Sequence, residues 1–313
     1  MMKPENANCF MNLPKLPPVK FGKDQYPLFT RISIETSKVC NRTCWFCPAE
    51  QRGKKQKLMT DQLYSKILHE LAALNFDGVV QWFFINEPLM DKRWPERIAA
   101  LRSQVPRCTI HLTTNWDLMA KRSDDEQVAT IKALYEAGVN SFNINDYDEK
   151  GYGRIIPIAA TELNKWQHTK VTVSNHCWKK IGPRKRVLSC GPLPKTLHTR
   201  TGYTKLENIE TFWKGGSQRG KKHCPRPFRH IVVQYDGKVP LCCTVDPTNA
   251  EVEWMADINQ VSLVEAWNSK RMWEYRSLLQ DGKRAGQCAK CDAKFSFPSI
   301  VRRVDLGKVK ANV

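Results

Sequence analysis

The chain has 313 residues, 41% hydrophobic and 26% charged, a composition that excludes disordered and collagen-like proteins. Its 50 Lys and Arg outnumber 31 Asp and Glu, giving a net charge of +19. That balance favours acidic partners such as nucleic acid, phosphorylated molecules or acidic peptides. A chain this long buries a core without covalent staples, so its 12 Cys point to metal or redox chemistry. No apolar run suits a membrane helix and no secretory signal is visible, so a cytoplasmic protein without a membrane partner is expected.

Residues 1–28 are Pro- and Lys-rich and read as an irregular leader. Thr30–Thr36 alternates as a strand, and Thr60 caps a helix with apolar positions Leu63, Ile67, Leu71 and Leu74. Val79–Ile85 reads as a buried strand, Trp94–Val105 as a helix with Pro95 in its first turn, and Thr109–Thr114 as a third strand. Ser123 and Glu126 form a capping box for a helix stopped by Gly138. Ser141–Asn145 and Lys170–Ser174 read as strands four and five. No helix is placed before the fifth strand, and no sixth strand is placed. This β–α alternation predicts an α/β fold with a parallel sheet, its chemistry at the C-terminal strand ends.

Residues 179–223 hold 12 Lys or Arg against two Glu, with little periodicity, and read as a basic bridging segment. Beyond it, His230–Tyr235 and Val239–Cys243 flank Asp236-Gly237 as a hairpin. Ser262 and Glu265 cap a helix through about Leu279, ahead of Cys288-x2-Cys291. The expected organisation is a leader over 1–28, a core over 29–178, the bridge over 179–223, a small hairpin-plus-helix domain over 224–295 and a basic tail over 296–313.

Cys40-Asn-Arg-Thr-Cys44-Trp-Phe-Cys47 follows the first strand. Structural zinc needs four ligands, and no fourth Cys or His lies near these three. A [4Fe–4S] cluster held by three thiolates keeps one iron open to a small molecule. A zinc site completed from afar is the competing reading.

This C-x3-C-x2-C loop, with Phe46 before its last Cys, resembles the radical S-adenosylmethionine (SAM) superfamily over about residues 30–180. The resemblance implies a partial parallel (β/α) barrel. It also implies a cluster on Cys40, Cys44 and Cys47 that binds SAM and splits it to a 5′-deoxyadenosyl radical, which takes hydrogen from a substrate. Asn86-Glu87-Pro88 resembles the family's element for the SAM ammonium, and Thr114-Asn115 its strand-three element, with Trp116 where the family has Gly. Asn145 and Asn175 stand at the ends of strands four and five. Phe46, Asn86, Glu87, Thr114, Asn115, Asn145 and Asn175 are therefore the implied cofactor contacts.

Cys224, Cys242, Cys288 and Cys291 resemble the twitch domain, the short SPASM-like extension of that superfamily. They imply one auxiliary [4Fe–4S] cluster fully ligated by protein, with structural zinc as the alternative. Cys108 is expected in the core, and Cys243 on the strand face opposite Cys242. Cys177 and Cys190 are candidate hydrogen donors to a substrate radical, or ordinary thiols.

The implied activity is a net substrate oxidation, with a ribosomal peptide or a small carbohydrate-like or phosphorylated molecule as substrate. The implied partner is an external one-electron reductant of flavodoxin or ferredoxin type. The leader is too short for a fused peptide-recognition domain. A zinc-stabilised nucleic-acid-binding protein and a SAM-dependent RNA-modifying enzyme are the rival readings.

Overall fold

The computed structural model describes residues 28–165, 171–173, 186–192, 224–289 and 291. Asn175, Cys177, the tail and most of the basic bridge lie outside these described residues.

The chain enters through β1 (Arg31–Ile34), shorter than the alternating run because the ladder to β2 (Val79–Gln81) is short. Past Trp82, whose N–H still donates to His111 O of the neighbouring strand at 2.9 Å, the backbone leaves the sheet. Phe84 and Ile85 give their N–H groups to the side chains of Asn86 (3.0 Å) and Glu35 (3.1 Å) instead of to a neighbouring strand. The segment Val79–Ile85 is thus a short strand followed by a side-chain-supported loop.

Between these strands lies α1 (Asp61–Ala73), capped as expected by Thr60, whose Oγ1 accepts from Leu63 N at 3.2 Å. Next come α2 (Trp94–Gln104), β3 (Thr109–Thr114) and α3 (Asp124–Ala137). Ser123 and Glu126 close the expected capping box on α3. Gly138 ends the helix at φ 118°, a left-handed conformation that glycine tolerates best. A Cβ there would also lie 2.6 Å from Arg102 Cβ. Strand β4 (Ser141–Asp146) leads into α4 (Ile155–Lys165), which the sequence reading left unplaced. Its buried Ile155, Ile156, Ala159, Ala160 and Leu163 do follow helical spacing.

After β5 (Val171–Val173), the segment read as an irregular bridge contains β6 (Arg186–Pro192). This strand inserts between β4 and β5. The sheet, including β7 (His230–Val233), runs β5-β6-β4-β3-β2-β1-β7, parallel at every pairing. Consecutive parallel order from β1 to β4, joined by crossovers of the hand such connections nearly always take, puts the helices on one face, as in part of a barrel. That face is apolar: Ile32, Ile34, Val80, Ile110, Leu112, Phe142, Ile144 and Leu188 are fully buried there with Ile67, Leu71, Leu101 and Leu134 of the helices.

The Asp236-Gly237 turn forms, with Gln234 N on Lys238 O at 3.0 Å. Its arms then part. Strand β7 joins β1, while β8 (Lys238–Pro240) pairs antiparallel with β9 (Trp254–Asp257). The single helix expected from Ser262 is two, α5 (Leu263–Trp267) and α6 (Lys270–Gln280). Ser269 starts the second by accepting from Met272 N, a local bond that competes with helix continuation. No helix among the described residues is long and apolar enough to cross a membrane.

Candidate functional site

Side chains on the face away from the helices are polar and lie in register. Ser33, Gln81, His111 and Ser141 stand side by side across β1, β2, β3 and β4. One step toward the C-terminal ends, Thr113, Asn143 and Ser189 continue the pattern over β3, β4 and β6. They satisfy one another: Ser33 Oγ to Gln81 Oε1 (3.3 Å), His111 Nδ1 with Ser141 Oγ (2.9 Å), Thr113 Oγ1 with His111 Nε2 (3.0 Å) and Ser189 Oγ to Asn143 Oδ1 (2.6 Å). Burial pushes His111 down to about 3, with the Arg31 charge adding to it, so its imidazole is neutral at pH 7 and the row is uncharged.

At the top of this face, the chain after β1 forms the cysteine loop. Cys47 N donates to Cys44 O at 2.9 Å, closing a turn between two of the three half-buried thiols. They are close enough to act on each other: burial pushes Cys40 up to about 12, with Glu87, Cys47 and Cys44 adding to the rise. Cys44 is raised by burial too, against the pull of Arg42. Loading a metal would therefore release protons.

Glu87 sits 2% exposed beneath the loop. Its Oε1 accepts from Leu89 N (3.1 Å) and Thr114 Oγ1 (2.6 Å), and its Oε2 from Asn115 N (2.8 Å). A carboxylate offers about four acceptor positions, so one remains on Oε2. Burial pushes Glu87 up to about 7, although these three bonds oppose it. Asn115 in turn reaches Cys40 Sγ at 3.7 Å and Asn41 Oδ1 at 2.8 Å. Asn86 is spent on its own loop, accepting from Phe84 N and donating to Ser37 Oγ at 3.2 Å.

Trp116 follows at φ 63°, with its side chain fully buried. Trp thus adopts the left-handed backbone that Gly would take there, at a cost on the order of 1–3 kcal/mol. It is held by its indole N–H on Gln127 Oε1 (2.8 Å) and an edge contact with Phe142 (5.5 Å).

On the other flank, Asn143 Nδ2 donates to Asn145 Oδ1 (2.6 Å) and Asn145 Nδ2 to Tyr147 Oη (2.8 Å). The Tyr147 ring lies 5.6 Å from Phe46. The structure thus brings Cys40, Glu87, Thr114 and Asn115 together on one flank, and Phe46 with Asn145 on the other. Asn175 lies outside the described residues.

The sequence reading missed several polar groups here. Arg42, inside the cysteine loop, bonds Asp117 Oδ2 at 2.7 Å and both oxygens of Asp148 at 2.7 and 2.6 Å. Burial opposes its charge, but the two carboxylates outweigh it and hold the guanidinium ionised. Arg42 and then Lys150 hold Asp148 down to about 2. Tyr152 Oη donates to Asp117 Oδ1 at 2.7 Å. Arg42, Asp117, Asp148 and Lys150 line a cleft of about 340 Å³ with Cys44, Phe46 and Tyr147. The available signal was a cation within the Cys loop and an acid just past each of two strand ends. A second missed pair is Arg52 with Glu35, bidentate at 2.6 and 2.7 Å and buried. Arg52 also reaches Gln234 Oε1 at 3.3 Å, beyond β7.

Cys224, Cys242, Cys288 and Cys291 are each 5–7% exposed. Burial pushes Cys224 up to about 11 and Cys242 up to about 12, and raises Cys288, with neighbouring thiols adding each time. The four thiols are therefore near enough for their charges to act on one another. A single zinc at about 2.3 Å from each sulfur would draw them together. Among the described residues, no three metal-binding side chains are grouped closely enough for one ion. An all-thiol donor set fits an iron–sulfur cluster, and three loop thiols would leave one iron of such a cluster open. Cys243 takes a bond from Arg226 Nη1 at 2.7 Å. Cys108 is fully buried, as expected. Cys190 stands opposite Ile144 and packs on the core, which places it on the helix face and not where a hydrogen donor to substrate would stand.

Residues 34–156 match the radical SAM superfamily, and residues 224–292 match the SPASM iron–sulfur cluster-binding domain. The chain is 24% identical over 274 residues to an S-adenosyl-L-methionine-dependent 2-deoxy-scyllo-inosamine dehydrogenase of Niallia circulans, covering 85% of this chain and 93% of that protein. Among solved structures it resembles BtrN in complex with AdoMet and 2-DOIA, with TM-score 0.65 and 22% identity over 86% of this chain and 95% of BtrN. It also resembles BtrN in an open conformation, with TM-score 0.56 and 20% identity over 85% and 94%.

Proposed function

Since the chain is a radical SAM enzyme with a short SPASM-like domain, using SAM and two [4Fe–4S] clusters, we propose that it oxidises an alcohol carbon of a small, polyhydroxylated, carbohydrate-like molecule. The observation that carries this reading is the uncharged row Ser33–Gln81–His111–Ser141, continued by Thr113, Asn143 and Ser189. Hydroxyls, amides and a neutral imidazole suit hydroxyl-rich ligands, and the Arg31 cation stands one step toward the N-terminal ends of the same face. The dehydrogenase activity named for the Niallia relative supports the same reaction class.

Cys40, Cys44 and Cys47 would hold the SAM-binding cluster, and Cys224, Cys242, Cys288 and Cys291 the auxiliary one. What the bound clusters supply is one-electron chemistry at both ends, an electron that splits SAM into methionine and a 5′-deoxyadenosyl radical, and an acceptor for the electron released as substrate is oxidised. The remaining acceptor position on Glu87 receives the SAM ammonium, with Thr114 and Asn115 fixing the carboxylate's orientation. Asn145 and Tyr147 offer polar contacts for the ribose, and Phe46 a ring face for the adenine. The substrate carbon would give a hydrogen atom to the 5′-deoxyadenosyl radical, the hydroxyl a proton to solvent and the carbon one electron to the auxiliary cluster, so that alcohol becomes ketone and SAM becomes methionine and 5′-deoxyadenosine. The first electron comes from an external flavodoxin- or ferredoxin-type donor, in the cytoplasm.

The test is anaerobic incubation of reconstituted protein with SAM, dithionite and cyclitols deuterated at the carbinol carbon, 2-deoxy-scyllo-inosamine among them. Deuterium in 5′-deoxyadenosine together with a ketone product is expected. 5′-Deoxyadenosine free of deuterium across the set would reject the alcohol assignment.

A further inference from the structure

The segment returning from the cysteine loop to α1 carries Lys54, Lys55 and Lys57, all exposed. It pairs with the segment entering that loop through an antiparallel bridge between Ser37 and Leu58, and Lys38 N donates to Lys57 O at 2.8 Å. Lys38 and Lys57 therefore stand opposite one another on a short ribbon, and one arm reaches Cys40 two residues later.

Like charges placed directly across a strand pair repel and destabilise it. Among the described residues none of the four lysines forms an ion pair, as Lys92, Lys121, Lys238 and Lys270 also do not, but Lys38, Lys54, Lys55 and Lys57 stand together on one short ribbon. One acid, Glu50, is exposed in the returning segment. Among the described residues, four ammonium groups without an ion pair thus gather on a ribbon that leads into the loop that must receive an electron. That loop surfaces again at Trp45, 52% exposed between Cys44 and Cys47.

We propose that this lysine ribbon is the docking surface for an acidic, one-electron donor protein of the flavodoxin or ferredoxin class. The inference rests on the radical SAM reading and deepens it. Complementary charge steers encounter and fixes orientation, raising association rates by about 10–1000-fold at low salt. On docking, the donor loses one electron and the enzyme's SAM-binding cluster gains it, with no atom transferred.

The test compares wild type with the triple variant Lys54→Glu, Lys55→Glu, Lys57→Glu, reading 5′-deoxyadenosine from SAM without added substrate. Each is driven either by reduced flavodoxin or by dithionite, across a salt series. The flavodoxin-driven rate of the variant should fall about tenfold or more at low ionic strength. The gap should close as salt screens the charges, and the dithionite-driven rate should match wild type. Equal flavodoxin-driven rates would overturn the proposal, as would a variant that loses affinity for single-stranded RNA but keeps those rates. A wild type inactive even with dithionite would instead defeat the radical SAM reading beneath it.

Discussion

At the scale of single residues, Glu87 joins the loop after β2 to the end of β3 and keeps one acceptor position for a cation. Its carboxyl is pushed up to about 7 by burial, so the ligand-free protein binds an extra proton between the ordinary Glu range and that value. Stability of the ligand-free protein should fall as pH rises through this window, because the folded state holds the proton more tightly than the unfolded chain. SAM affinity should move the other way, strengthening as pH rises through about 7, because an ammonium ligand favours the ionised carboxylate. In Glu87→Gln both pH dependences should flatten and SAM affinity should fall about tenfold or more. Calorimetry across pH would measure this, and an unchanged affinity would remove Glu87 from the SAM site. Arg42 gives a second handle. Its fork spans Asp117 and Asp148, which a single Lys ammonium cannot reproduce. Arg42→Lys should loosen the cleft and raise the KM for SAM severalfold with a smaller change in kcat; an unaltered KM would show that the fork does not shape it.

At the scale of elements, Arg52 links the end of the cysteine loop to Glu35 after β1 and Gln234 after β7. Arg52→Met should destabilise the fold by about 3–5 kcal/mol, because Glu35 is left buried and unpaired. Much of that loss should return in the double variant Arg52→Met, Glu35→Leu, and urea denaturation would report both. Arg52 was not legible in the sequence because its partner depends on where β7 docks. The first four strands and their helices were legible, since their caps and periodicity are local: Thr60 and the Ser123–Glu126 box lie where their residue types predict. Strand β6 was not, because it lies in a run dominated by Lys and Arg, and its place is set by pairing with β4. The break at Ser269 and the parting of β7 from β8 were hidden for the same reason: a side-chain cap in one case and a long-range ladder in the other overrode a continuous local pattern. At the site, the cysteine spacing stood out in the sequence and Glu87, Thr114 and Asn115 could be named only through the family resemblance, whereas the Arg42 fork needed two loops folded together.

At the scale of the whole molecule, one sheet carries two chemistries. Apolar side chains under the helices hold it together, and a row of neutral polar side chains from β1 to β4 stands in register on the opposite face. Strand β7 extends this sheet past β1, so the four-thiol site is built onto the sheet that bears the three-thiol loop. Removing a buried thiol, as in Cys242→Ala, should leave 5′-deoxyadenosine formation largely intact while cutting oxidised product about tenfold or more. Parallel loss of both would argue that the C-terminal site serves folding alone. The central claim, that three loop thiols leave one iron free for SAM, is tested most directly by assaying anaerobically reconstituted protein with SAM and dithionite for 5′-deoxyadenosine. The account predicts its formation by wild type and its loss in Cys44→Ala; fully loaded wild type that forms none would contradict it.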